Sequence, residues 1–153
     1  GRPPEKAIPV LLADPDDIAQ VAGDVPEVAR RLAAAFWPGP LTIAVPKLAT
    51  VPEIVSALPT VGVRVPDHGV ARAAIRACGG ALAVTSANRS GGPNPLTAQQ
   101  AGDALGEAVA LILDGGACPG GIPSTVVEVR GGEWRIVRAG PISEEDLRRA
   151  AGG

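Results

Sequence analysis

Twenty glycines and sixteen prolines fall mainly between short aliphatic runs, and no other feature limits the possible folds of this chain so strongly. Residues of these two types break long helices and strands, while the apolar runs between them argue against disorder. The chain is therefore expected to build many short elements. Its 153 residues suffice for one domain with a real core. Because 46% of the residues are hydrophobic but only 2% aromatic, that core must be made of Val, Ile, Leu and Ala. A net charge of -2 and a pI of about 5.4 exclude the basic field that drives bulk nucleic-acid binding and leave room only for a local basic cleft. Cys78 and Cys118 occur without a signal peptide or an apolar run of roughly 18 residues, which predicts a reduced, cytoplasmic protein with its thiols in core or loop positions.

Residues 8–13 form an aliphatic run that predicts a strand after a proline-containing loop. Asp14, Pro15 and Asp17 predict a helix start, stopped by Gly23. Asp24 with Glu27 reads as a capping box for a helix over 25–36, with Val28, Leu32, Ala35 and Phe36 on one face. W-P-G-P at 37–40 ends that helix. Strands are expected at 41–45 and 60–65, with a short helix at 51–58 between them. A helix at 70–77 then leads through Gly79 and Gly80 into a buried strand at 81–84. Thr97 with Gln100 predicts a capped helix at 98–105, followed by a strand at 108–113. The runs 124–129 and 133–138 flank Gly131-Gly132 as a hairpin, and Ser143 with Asp146 caps a last helix reaching residue 150. Strands and helices alternate first and a hairpin closes the chain. This predicts an α/β fold, a single domain in which helices pack on a twisted sheet of mixed parallel and antiparallel strands.

The stretch 81–97, A-L-A-V-T-S-A-N-R-S-G-G-P-N-P-L-T, passes from an apolar strand into a glycine-rich loop carrying Ser86, Asn88, Arg89 and Asn94. Such a loop stands where α/β sheets usually bind ligands, although a polar loop that only turns the chain has the same composition. Several chemistries are excluded. The run 116–121 has Ile122 and Pro123 where a phosphate-binding loop needs Lys and Ser/Thr. No G-x-G-x-x-G follows a strand, and no G-x-S-x-G surrounds Ser86. His68 is the only histidine, and with two distant cysteines it gives no metal-ligand spacing; it is expected at the edge of a strand-to-helix turn. What remains at strand ends is Arg2, Lys6, Arg64, Ser86, Asn88, Ser124 and Arg138, groups that hold phosphates and carboxylates rather than exchange protons near neutral pH. Arg64, in V-G-V-R-V-P, needs an anionic partner or an exit to solvent, and one of the sixteen acids would serve as well as a ligand.

Six pieces, in order, resemble the YrdC-like family of threonylcarbamoyl-AMP synthases: G-R-P-P-E-K-A-I-P-V-L-L at 1–12, F-W-P-G-P-L-T at 36–42, V-G-V-R-V-P at 61–66, T-S-A-N-R-S-G at 85–91, P-S-T-V-V at 123–127 and I-V-R-A-G-P-I at 136–142. Family members also carry an upstream P-T-(E/D)-T-x-Y-G motif and a lysine that would stand immediately before Gly1, so 1–153 is expected to be a YrdC-like domain incomplete at its N-terminus. The resemblance implies formation of L-threonylcarbamoyl-AMP and pyrophosphate from L-threonine, bicarbonate and ATP, with Mg2+ bridging the phosphates, although no carboxylate stands out as its protein ligand. The product would pass to the machinery that makes threonylcarbamoyladenosine in tRNA. By the family's K-x-R and S-x-N pairs, Arg2, Ser86 and Asn88 are implied in catalysis, Asn88 chiefly as a support for the loop. ATP would contact Arg2, Lys6, Thr60, Ser86, Asn94 and Arg138, and threonine would contact Arg64, the backbone near Val84, and Ser124. Two other readings share the fold. One is an RNA-binding module without this catalysis, with tRNA or double-stranded RNA as partner; the other is a carbamoyl-transfer domain of a larger maturation protein.

Overall fold

Period-two alternation in the central strands decides which side of the sheet is covered. In β2 (Leu41–Pro46), Leu41, Ile43 and Val45 are fully or almost fully buried, and in β3 (Thr60–Arg64) Val61 and Val63 have no exposed surface. Side chains two apart share a face, so these aliphatic residues project to one side while Thr42, Ala44, Gly62 and Arg64 project to the other. The computed structural model describes residues 7–89, 91–118 and 122–152. The remaining strands are β1 (Val10–Leu12), β4 (Ala81–Ala83), β5 (Thr125–Arg130) and β6 (Glu133–Arg138), and the helices are α1 (Glu27–Phe36), α2 (Gly69–Ala77), α3 (Ala98–Leu105) and α4 (Glu144–Ala151). Six strands run in the order β4-β1-β3-β2-β5-β6, with β1–β3 and β2–β5 parallel and the other pairs antiparallel. The expected mixed sheet with flanking helices is what the chain forms.

The apolar side carries the core. Val28, Ala29 and Leu32 of α1 and Leu147 and Ala151 of α4 pack with Val10, Leu12, Ile43, Val63 and Val127 of the sheet. Covering a side chain such as Leu32 or Leu147, neither with any exposed surface, stabilises by about 1.5–3 kcal/mol. Helix starts follow the local chemistry. Ser143 Oγ accepts the Asp146 N–H at the start of α4, Thr97 Oγ1 accepts the Gln100 N–H at the start of α3, and His68 Nδ1 accepts the Ala71 N–H at the start of α2. His68 is thus the helix-opening residue its position suggested. The turn at 37–40 is tight: a Cβ on Gly39 would stand 2.3 Å from the Phe36 carbonyl oxygen, so only glycine fits. Gly131 takes a positive φ of 59° in the two-residue β5–β6 turn. No helix among the described residues is long and apolar enough to cross a membrane.

Several expectations are corrected. Residues 51–58 are not helical, because Pro52 and Pro59 bracket a segment too short to repeat the ladder. Val55 and Ser56 both donate to the Pro52 carbonyl, and Ser56 Oγ then donates to Thr60 O at 2.7 Å, closing a turn. Residues 108–113 form no strand; Ala108 closes a 3-10 turn, Leu111 and Leu113 are exposed, and the run pairs with no described strand. β4 is an edge strand with Leu82 exposed, not a buried one. The helix α1 opens at Glu27 on Pro26, which has no side-chain acceptor, so the Asp24–Glu27 capping box does not form, and Ala35 faces solvent. The segment after Asp14 is a 3-10 helix (Pro15–Gln20) rather than an α-helix. Of the two cysteines, both free, Cys118 lies in a loop as expected, whereas Cys78, at the end of α2, is exposed and not in the core.

Candidate active site

The face of the sheet opposite the aliphatic core gathers the polar residues. The β2–β3 register pairs Ile43 with Val63, so one step further Thr42 lies beside Arg64. Thr42 pairs with Val126, and Val126 with Arg138. Arg64, Thr42, Val126 and Arg138 therefore form one row across four strands, and three strand spacings put the two arginine backbones about 14 Å apart. Their guanidinium groups reach inward from both ends. Arg138 Nε and Nη2 donate to the Ser124 carbonyl at 3.1 and 2.8 Å, and Nη2 also donates to Ser124 Oγ at 3.1 Å. Ser124 and Thr42 are each 7% exposed, and their hydroxyl oxygens lie 2.8 Å apart. Arg64 Nε donates to the Gly39 carbonyl at 2.8 Å. Burial, and secondarily the charge of Arg138, pull the Arg64 pKa below its ordinary value. Among the described residues neither arginine joins an ion pair. Two guanidiniums and a buried hydroxyl pair thus share a face on which no carboxylate among the described residues pairs with either arginine, an arrangement suited to an anionic ligand.

The other expected site residues fall elsewhere. Thr60 is buried at the start of β3, on the same face as Arg64 but four residues away, about 13 Å along the strand. Val84 donates its N–H to the Pro9 carbonyl at 3.0 Å, extending the β1–β4 pairing. Because β4 runs antiparallel to β1 and β1 parallel to β3, the loop after Val84 leaves from the Thr60 end of the sheet, not from the Arg64 end. Ser86 is exposed on that loop. Asn88 Nδ2 holds the loop by donating to Arg89 O at 3.1 Å and Gly92 O at 2.8 Å, while its Oδ1 is buried without a partner among the described residues. Asn94 is exposed and lines a cavity of about 540 Å³ with Asn88, Arg89, Leu96 and Gln100. The structure thus joins Arg64, Ser124 and Arg138 and sets Ser86, Asn88 and Asn94 apart as a second group. Arg2 and Lys6 lie outside the described residues.

Sequence reasoning missed Thr42 and Glu128. For Thr42 a signal was present: it is the polar member of the alternating run L-T-I-A-V, in phase with the face that carries Arg64. Glu128, nearly covered on this same face, accepts from Arg135 at 2.5 Å and Arg130 at 2.9 Å. The Arg135 hydrogen bond holds its pKa below the ordinary 4.5 of a glutamate; burial opposes this and Arg130 reinforces it. A depressed carboxylate pKa adds stability above the unfolded value, and that stability is lost as pH falls through the folded value. Glu128→Gln should therefore lower the urea midpoint at neutral pH, and its difference from wild type should shrink as pH drops below 4.5. A difference that grows with acidity would contradict this role.

Comparison with known proteins follows the same outline. The Sua5/YciO/YrdC family model, described as telomere recombination, matches residues 1–140. A threonylcarbamoyl-AMP synthase of Bacillus subtilis is 36% identical over 154 residues, covering 99% of this chain and 44% of that protein. The crystal structure of P. abyssi Sua5 complexed with L-threonine matches with a TM-score of 0.92 at 33% identity, over 99% of this chain and 45% of the other. That of E. coli YciO matches with a TM-score of 0.82 at 26% identity, over 95% and 71%. The chain spans less than half the length of the B. subtilis and P. abyssi proteins.

Proposed function

The chain belongs to the Sua5/YciO/YrdC family, and on that premise we propose that it forms L-threonylcarbamoyl-AMP and pyrophosphate from L-threonine, bicarbonate and ATP. The observation that carries this reading is the row Arg64–Thr42–Val126–Arg138 with Ser124, in which two cations converge without a carboxylate partner among the described residues. The likeness to a P. abyssi protein crystallised with L-threonine supports an amino acid as one ligand. In this reading Arg64 takes the threonine carboxylate, and Ser124 and the backbone at Val84 fix the rest of the amino acid. Arg138, Thr60, Ser86 and Asn94, with Arg2 and Lys6, hold the nucleotide. The Asn88 amide, already bonded across 89–92, keeps the loop in shape.

Threonine and bicarbonate give a carbamate, whose anionic oxygen attacks the α-phosphorus of ATP and expels pyrophosphate. The nucleophile is already charged, so the site needs no strong general base; it must neutralise charge, align the reactants and exclude water. The guanidiniums serve the first need, the register of β3, β2, β5 and β6 the second, and the aliphatic layer beneath them the third. Magnesium, when bound with ATP, would supply neutralisation of phosphate charge. The product would be consumed in the cytoplasm by the tRNA threonylcarbamoyl transferase machinery.

The test is pyrophosphate release by the full-length protein. Release from ATP should require L-threonine and bicarbonate together. Release that persists when either is omitted, or no release alongside RNA binding that collapses with salt, would contradict the reading.

A further inference from the structure

Thr42 lies on the open face between β3 and β5, and its two γ groups are sorted by what stands on each side. Its methyl packs over Gly62, where an added Cβ would come 3.3 Å from Thr42 Cγ2, and its hydroxyl turns to β5 to meet Ser124 Oγ at 2.8 Å. A serine hydroxyl has one proton and two lone pairs. One lone pair of Ser124 already accepts from Arg138 Nη2, a group that only donates. We propose that Thr42 is a positioning residue for the amino-acid pocket: with ligand bound, its hydroxyl donates to Ser124 Oγ, so that the Ser124 proton is directed to an oxygen of the amino acid. This rests on the function proposed above.

The polarity follows from the charge that the face is built to receive. A bond from Ser124 to an anionic oxygen is roughly twice as strong as one between neutral groups, so the chain runs from Thr42 through Ser124 to the ligand. With both lone pairs filled, Ser124 donates and cannot accept. The pair therefore selects a carboxylate or carbonyl oxygen at this point and disfavours an ammonium group.

Thr42→Val keeps the shape and removes the donor. In the full-length protein it should raise the KM for L-threonine about tenfold, with the KM for ATP changed by less than about twofold. Thr42→Ala should reproduce the shift, Thr42→Ser should restore the wild-type value, and Thr42→Val placed on Ser124→Ala should add nothing further. A threonine KM unchanged in Thr42→Val, failure of Thr42→Ser to rescue, additive effects with Ser124→Ala, or equal rises in both KM values tracking a lower Tm would each overturn the proposal. Wild-type turnover with an unaltered Thr42→Val overturns this inference alone, whereas a wild-type protein without threonine-dependent pyrophosphate release overturns the proposed function and this inference with it.

Discussion

Arg64→Ala should raise the threonine requirement of pyrophosphate release about 100-fold while shifting the ATP requirement by less than about threefold. A hydrogen bond between a guanidinium and a carboxylate contributes about 1.5–3 kcal/mol net, and about 2.7 kcal/mol corresponds to a factor of 100. Among the described residues only Nε of Arg64 is engaged, with the Gly39 carbonyl at 2.8 Å, which leaves the terminal nitrogens for a ligand. The same substitution should leave stability almost untouched. It removes a cation that is partly desolvated and pushed by Arg138, and that relief offsets the loss of the bond to Gly39. Steady-state kinetics with each substrate varied in turn, alongside a thermal melt, separates these effects. Equal rises in both KM values would remove Arg64 from the amino-acid site.

Gly140→Ala should be the most damaging single-methyl change in the described structure. A Cβ at residue 140 would stand 2.3 Å from Thr125 N, 2.7 Å from Ser124 C and 2.8 Å from Pro123 O. All three are backbone atoms, so no side chain can swing aside. The segment 139–142 would have to lift from β5, breaking the bonds of Thr125 Oγ1 with Ile142 N and O at 3.0 and 3.3 Å. Overpacking of this kind costs about 3 kcal/mol, or on the order of 10 °C in Tm for a chain of this size. Because the same strain falls on Ser124, whose carbonyl and hydroxyl hold Arg138, turnover should fall with stability. An unchanged melting temperature would mean that the 123–125 turn yields freely and does not fix the site.

The sequence made the sheet legible where side chains alternate and turns are punctuated. β2, β3 and the β5–β6 hairpin lie where aliphatic alternation and Gly131-Gly132 put them, and α3 begins where Thr97 with Gln100 indicates. Local patterns failed where tertiary pairing decides. The run 108–113 has strand composition but meets no described partner strand, and 51–58 has helical composition but is closed by its prolines and Ser56. In the site, Arg64, Ser124 and Arg138 were readable as strand-end residues without an obvious local partner. That they share a face depends on the register of four strands, including the irregularity between Val126 and Val127 that brings Arg138 rather than Val137 opposite Val126. No local pattern encodes that offset, and the same holds for the contact of Thr42 with Ser124, 82 positions away.

The most direct measurement is a structure of the full-length protein with L-threonine and a non-hydrolysable ATP analogue. The threonine carboxylate should lie within hydrogen-bond distance of Arg64, with an amino-acid oxygen at Ser124 Oγ and the nucleotide phosphates toward Arg138. Amino acid found instead in the cavity beside Asn88 and Arg89, with the Arg64–Arg138 row empty, would contradict the assignment of this face as the active site.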